Sequence, residues 1–311
     1  MPLTPEQKAE IEALRKIQYT TRRATVPAIE EILYQPFDVL DNGFIRVIDY
    51  MGDDAAIVQA ARVSYGRGTK QTRDDQGLIN YLMRNAHTSP FEMCAIKLHV
   101  KLPIFVARQW IRHRMANVNE YSARYSVLDN EFYTPPIEQL SAQSSVNKQG
   151  RESSLGTNRA EQILDLLKSD ASQSFDHYFQ MLNRNQEGKE IIPGETGLAR
   201  ELARIGLPLS TYTQWYWKID LYNLLHFVNL RADSHAQWEI QEYARIMLNI
   251  LQLWVPLVTK AFINYRTGGA HLSEEGLSVV RMLLAGEQID PENLKMSPRE
   301  WRELKNLLAL E

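Results

Sequence analysis

Cys94-Ala95-Ile96-Lys97-Leu98-His99-Val100-Lys101 runs directly into Leu102-Pro103-Ile104-Phe105-Val106-Ala107-Arg108-Gln109-Trp110. In the first part apolar and polar residues alternate without a break. Successive side chains of a strand point to opposite faces, so Cys94, Ile96, Leu98 and Val100 share one face while Ala95, Lys97, His99 and Lys101 share the other. This is a half-buried strand of a sheet with one covered face. Cys94, the only cysteine, falls on the covered face and reads as packing, not as a nucleophile. Pro103 then opens a helix through Phe105, Val106, Gln109 and Trp110. Its end delivers Arg112-His113-Arg114.

Working outward, Asp41-Asn42-Gly43 is a hairpin turn joining strands at 37–40 and 44–51. Helices are expected at about 55–65, ended by Gly66 and Gly68, and at about 73–86. The second stops at His87-Thr88-Ser89-Pro90, because proline disfavours helix in the residue before it. Thr4 and Pro5 suit the start of a charged helix over 5–17. Downstream, residues 141–158 are rich in Ser, Gln, Gly, Asn and Lys and read as a loop or mobile insertion. A long helix follows at about 159–186, and a short one at about 196–205 presents Arg200, Glu201 and Arg204. Thr213, Trp215, Trp217 and Ile219 alternate with polar residues in another strand. A helical region then spans 221–254, with a break expected near Asn229. In it the spacing of four puts Arg231, His235 and Glu239 on one stripe. Two amphipathic helices, at about 273–285 and 297–309, close the chain. Strands mixed with long helices, without regular alternation, give an α+β fold: an antiparallel sheet with long helices packed around it.

Composition narrows the function. The chain has 311 residues, 44% hydrophobic and 23% charged, which is a globular chain with ample core. A formal net charge of -3 argues against wholesale coating of nucleic acid. One cysteine excludes an internal disulfide or a thiolate metal cluster and fits a reducing compartment. The N-terminus lacks the basic-then-apolar order of a signal peptide, and no apolar run suits a membrane span. A cytoplasmic protein is expected.

The chemistry concentrates in Arg112-His113-Arg114-Met115-Ala116-Asn117-Val118-Asn119-Glu120-Tyr121-Ser122-Ala123-Arg124-Tyr125. Neither a helical nor a strand stripe survives across the whole of it. It carries arginine without lysine, which suits planar, bidentate recognition of phosphate or carboxylate. A salt-bridged surface segment is the plain alternative.

Five blocks together resemble the flavin-dependent thymidylate synthases. They are His87-Thr88-Ser89-Pro90-Phe91-Glu92; 103–110; Arg112-His113-Arg114, then seven residues, then Ser122; Arg200-Glu201-Leu202-Ala203-Arg204; and Leu230-Arg231-Ala232-Asp233-Ser234-His235-Ala236-Gln237-Trp238-Glu239. They stand in the family's order and cover about 40–255. The resemblance implies the thymidylate synthase-complementing fold over 41–260, with helical extensions at 1–40 and 261–311. It also implies reductive methylation of dUMP to dTMP, with 5,10-methylenetetrahydrofolate as carbon donor, FAD as hydride carrier and NADPH as reductant. A homotetramer with sites shared between subunits is expected, without nucleic acid or membrane.

Residue by residue, the resemblance implies dUMP contacts at Gln109, Arg112, Glu120, Ser122, Arg124, Arg204 and Arg231. For the cofactor it implies Arg112, His113, Arg114, Glu120, His87, Ser89, Asp220, Tyr222 and His226. Arg231 is the catalytic residue implied: its permanent charge would stabilise negative charge developing on the uracil. A surface salt bridge to Asp233 or His235 is its structural alternative. His235 orients Arg231 or satisfies a buried carbonyl. Two rival functions stay open on residues alone. One is a nucleic-acid binder using the Arg/Tyr-rich stretch. The other is a metal-dependent hydrolase, for which the sequence offers no short metal-ligand spacing.

Overall fold

The computed structural model describes residues 4–63, 75–145 and 150–310. The chain opens with α1 (Pro5–Lys16) and α2 (Pro27–Glu30). Strands β1 (Phe37–Val39) and β2 (Gly43–Met51) precede α3 (Asp54–Val63), α4 (Asp75–Arg84) and α5 (Ser89–Glu92). Next come β3 (Ala95–Pro103), α6 (Ile104–Trp110), β4 (Ala116–Glu120) and a hairpin of β5 (Ser141–Gln143) and β6 (Arg151–Ser154). Then follow α7 (Thr157–Leu182), α8 (Arg200–Ala203), β7 (Tyr212–Asp220), α9 (Leu221–Arg231), α10 (Trp238–Trp254), α11 (Pro256–Phe262), α12 (Glu274–Leu284) and α13 (Pro298–Leu307). The fold is α+β, as the order of elements suggests.

Five antiparallel strands stand in the order β1-β2-β3-β7-β4. Central β3 keeps the expected alternation, with Ile96, Leu98 and Val100 buried. Its register sets Val100 between Ile45 and Trp215, and Leu98 between Val47 and Trp217. Against this face α6, α9 and α10 bring Trp110, Phe227 and Tyr243. The ring centre of Trp110 lies 4.7 Å from that of Phe227 and 5.2 Å from that of Trp217. Each such side chain contributes roughly 1.5–3 kcal/mol on burial. Cys94 is fully buried and its thiol donates to the Asp53 carbonyl at 3.6 Å. Burial, with Asp53 and Asp54 nearby, pushes the thiol up to about 12, so it is not a nucleophile at neutral pH.

The hairpin at 41–43 forms, with a difference. Leu40, not Gly43, takes the left-handed backbone, at φ 59°. Gly43 is required for another reason: a Cβ there would stand 2.1 Å from the Tyr243 hydroxyl.

The sequence expectations fail in three places. The stretch 141–158 is not a plain loop, because β5 and β6 pair within it and α7 already begins at Thr157. The short helix at 196–205 shrinks to α8 and a following 3-10 turn. The break expected near Asn229 falls at 232–237 and divides 221–254 into two helices, so Arg231, His235 and Glu239 do not share the expected stripe. Asp233 accepts from the His235 backbone N–H at 2.8 Å and from its ring at 2.9 Å. Such a local side-chain bond offers the backbone an alternative to the helix, and α9 stops at Arg231. The helix at about 55–65 ends its described part at Val63, and Gly66 and Gly68 lie outside the described residues.

The chain divides into two compact units, Met1–Thr259 and Lys260–Glu311. In the smaller, Ser273 caps α12 by accepting from Gly276 N–H at 3.0 Å, and Ser297 caps α13 by accepting from Glu300 N–H at 3.2 Å. Among the described residues no helix is long and apolar enough to cross a membrane.

Candidate active site

Burial of Trp110 fixes the end of α6, and His113 N–H then donates to the Trp110 carbonyl at 3.0 Å. This turn throws Arg112 and Arg114 outward and His113 inward. The His113 ring packs edge-on against Phe227 at 4.8 Å and near His226 at 5.9 Å. Its Nε2 accepts from Arg231 Nε at 3.0 Å, and Arg231 Nη2 donates to the Gln109 carbonyl at 3.4 Å. Burial, then the adjacent Arg231 charge, lower the His113 pKa to about 4. His113 is therefore neutral at pH 7 and able to accept. Arg231 is half-buried, and burial alone lowers its pKa. Among the described residues no carboxylate pairs with it, so its charge is held away from water without an internal counter-charge. The Gln109 side chain donates from Nε2 to Gln237 Oε1.

A neighbouring group is built on other elements. β4 pairs with β7 at the edge of the sheet, and Glu120 there accepts from Thr213 Oγ1 at 2.7 Å. The chain next turns at Ser122, whose Oγ accepts from Arg124 N–H at 3.3 Å. A satellite core of Ala123, Leu128, Phe175, Tyr178, Phe179, Leu182 and Ala203 binds this turn to α7 and α8. It brings Arg124 to Glu201 at 3.0 Å and leaves Arg204 exposed. No hydrogen bond or ion pair among the described residues joins this group to the first.

The remaining cofactor candidates line α5 and α9, which pack together. His87 stands edge-on to Tyr81 at 5.5 Å, and Ser89 opens α5 exposed. Asp220 caps α9, accepting from the Asn223 backbone N–H at 2.9 Å and its side-chain amide at 2.8 Å. Tyr222 is half-buried and His226 exposed on the same helix.

Two alternatives for Arg231 fail. Its partners are His113 and Gln109, not Asp233 or His235. The His235 side chain is 80% exposed and bound to Asp233 instead of orienting Arg231. Among the described residues no base is hydrogen-bonded to Ser122, whose Oγ accepts from the Arg124 backbone. Among the described residues no group of three or more His, Cys, Asp or Glu side chains could hold a metal ion. Sequence reasoning missed Gln237, Thr213 and Glu201 as partners. Gln237 and Glu201 lie inside the quoted blocks, and that position was the only available signal.

An α+β fold with several exposed arginines and one partly buried guanidinium that has no carboxylate partner among the described residues suits the class of proteins that take small anionic ligands. The family model described as "Thymidylate synthase complementing protein" matches residues 46–257. A flavin-dependent thymidylate synthase of Gluconobacter oxydans (strain 621H) is 59% identical over 99% of this chain and 99% of its own length. One from Rickettsia conorii (strain ATCC VR-613 / Malish 7) is 60% identical over 93% of this chain and 99% of its own length. Among solved structures, the UMP/dUMP methylase PolB from Streptomyces cacaoi bound with 5-Br UMP is 32% identical. It superposes with a TM-score of 0.63 over 74% of this chain and 97% of its own. The chain belongs to the flavin-dependent thymidylate synthase family and is an enzyme of methyl transfer.

Proposed function

We propose that this enzyme methylates dUMP to dTMP, with 5,10-methylenetetrahydrofolate as carbon donor and NADPH as reductant, and that its flavin is FAD. The observation that carries the reading is Arg231. Its guanidinium is partly buried, held by two neutral acceptors, His113 Nε2 and the Gln109 carbonyl, and without a carboxylate partner among the described residues. A cation so placed favours charge that develops during a reaction. Arg231 stabilises negative charge at N3 and O2 of the uracil as C5 becomes nucleophilic. Neutral His113 fixes the direction in which the guanidinium points. Cys94 takes no part.

Arg112 and Arg114 are exposed and have no ion-pair partner among the described residues, which suits the phosphates of FAD. With His113, His87, Ser89, Tyr222 and His226 they would hold the cofactor, with Asp220 contributing at the cap of α9. Bound there, FAD would supply hydride chemistry between NADPH and the transferred carbon. Gln109, Glu120, Ser122, Arg124 and Arg204 would hold dUMP. The absence of a hydrogen bond or ion pair between the two groups among the described residues suits a homotetramer whose sites draw on neighbouring subunits, and the enzyme would work in the cytoplasm. Incubation with dUMP, methylenetetrahydrofolate, NADPH and FAD tests the reading. Formation of dTMP that depends on all four supports it; no dTMP under those conditions refutes it.

A further inference from the structure

We infer that Arg151, on β6, is a positioning residue for Arg231 and Gln109, acting through Glu239. The inference rests on the proposal that those two residues face the nucleotide. Glu239 is only 2% exposed, and a carboxylate that far from water needs a counter-charge and hydrogen bonds. Arg151 Nη2 lies 2.7 Å from both of its oxygens, and the Tyr133 hydroxyl donates to Oε1 at 3.1 Å. Burial, then the Glu239 charge, push the Tyr133 pKa up, so the phenol stays a donor.

Glu239 is the second residue of α10, and Gln237 is its N-cap. Fixing Glu239 therefore fixes the first turn of α10 and the orientation of Gln237. The Gln237 side chain accepts from Gln109. Gln241 donates to the Ala236 carbonyl at 2.6 Å and ties the connection down from the other side. Arg231 ends α9 at the start of the same connection and reaches the Gln109 carbonyl. A short path thus joins the hairpin cation to both residues of the site.

Among the described residues no other side-chain hydrogen bond or ion pair ties β6 to α10. β6 is exposed along its length, and a cavity of about 400 Å³ lies between the hairpin, Phe105, and Ile163 and Leu167 of α7. Arg151 also donates to the Gln139 carbonyl and side chain at 3.4 and 3.3 Å. Without the Arg151 charge, Glu239 is left buried with one phenol for company and must take up a proton or turn outward. Either change shifts the first turn of α10. A misplacement of about 1 Å at a reacting centre can cost on the order of 10²-fold.

The test compares Arg151→Met and Arg151→Lys with the wild type. In Arg151→Met, KM for dUMP should rise about tenfold, within that range, while bound FAD per chain stays unchanged. Because a single nitrogen, Nη2, meets both oxygens, a Lys ammonium can take its place and should recover most of the loss. Hydrogen exchange should quicken at 231–241 and stay unchanged in β3 and β7. An unchanged KM with only a lower melting temperature would overturn the inference, as would loss of FAD together with activity. Should the wild type make no dTMP, the functional proposal falls, and exchange at 231–241 alone decides whether the clamp exists. Should the Met variant not fold, exchange in Arg151→Gln, which keeps a donor but removes the charge, decides: faster exchange confined to 231–241 supports the clamp, and wild-type exchange there refutes it.

Discussion

The cations of this chain fall into two regions that treat charge in opposite ways. Beneath the sheet's rim, Lys101 pairs with Glu131 and Arg151 with Glu239, and the carboxylates of both pairs are largely buried. Along the α6–β4 connection and α8, Arg112, Arg114 and Arg204 are exposed and have no acidic partner among the described residues; Arg124 meets Glu201 only at the surface. Cations paired with buried carboxylates hold segments together. Unpaired ones gathered on one surface repel each other until an anion arrives. Arg231 stands between these regions, partly buried like the first and uncompensated like the second, and that combination suits a catalytic charge.

Substitutions can break this contrast. The largest effect should come from Arg231→Ala: dTMP formation should fall on the order of 10²–10³-fold, with flavin content unchanged. Turnover and bound flavin per chain check it together. Next, Lys101→Met leaves Glu131 largely buried and unpaired. It should cost about 3 kcal/mol of stability, the lower end for a broken buried pair because both side chains keep some exposure. Arg204→Ala should move stability by less than about 0.5 kcal/mol, and chemical denaturation separates the two.

A smaller effect concerns pH. His99 and His113 both have pKa values lowered to about 4, by burial first, with Arg46 and Arg231 respectively adding to it. In the unfolded chain each returns to about 6.5, so the unfolded state binds more protons between those values. Stability is therefore full above about pH 6.5 and lost as pH falls towards 4. His99 accepts from Arg46 Nε at 2.9 Å and donates to Gln214 Oε1 at 2.9 Å, so it must stay neutral. His99→Gln should shallow the loss of melting temperature between pH 7 and 5; an unchanged slope would contradict the assignment. The smallest effect on turnover belongs to Cys94→Ser, because this buried side chain touches none of the residues of the site. Turnover should stay within about twofold, at a cost of about 1 kcal/mol, and a folded, flavin-binding but inactive variant would overturn the non-covalent reading.

Local signals carried the fold. Alternation at Cys94–Lys101, the turn at 41–43 and the caps at Thr4, Ser273 and Ser297 each act within a few residues, so the sequence displays them. β4 escaped notice because an exposed edge strand needs no apolar alternation, and 116–120 has little. The hairpin at 141–154 is polar on both faces for the same reason. In the site, the arginines and their blocks were legible, but their partners were not. His113 meets Arg231 across 118 residues of sequence, and Arg151 meets Glu239 across 88. Only the folded sheet and helices bring such pairs together. The supposed stripe of Arg231, His235 and Glu239 failed because Asp233 ends the helix by a bond that periodicity does not reveal.

We propose that the unpaired Arg112 and Arg114 hold the flavin, whereas the cations paired with buried carboxylates hold the protein together. FAD titration of the wild type and of Arg112→Ala/Arg114→Ala, followed by visible absorption after gel filtration, addresses it directly. The wild type should retain flavin, and the double variant should lose it with its melting temperature unchanged. Equal flavin retention by both, or none by the wild type, would contradict the account.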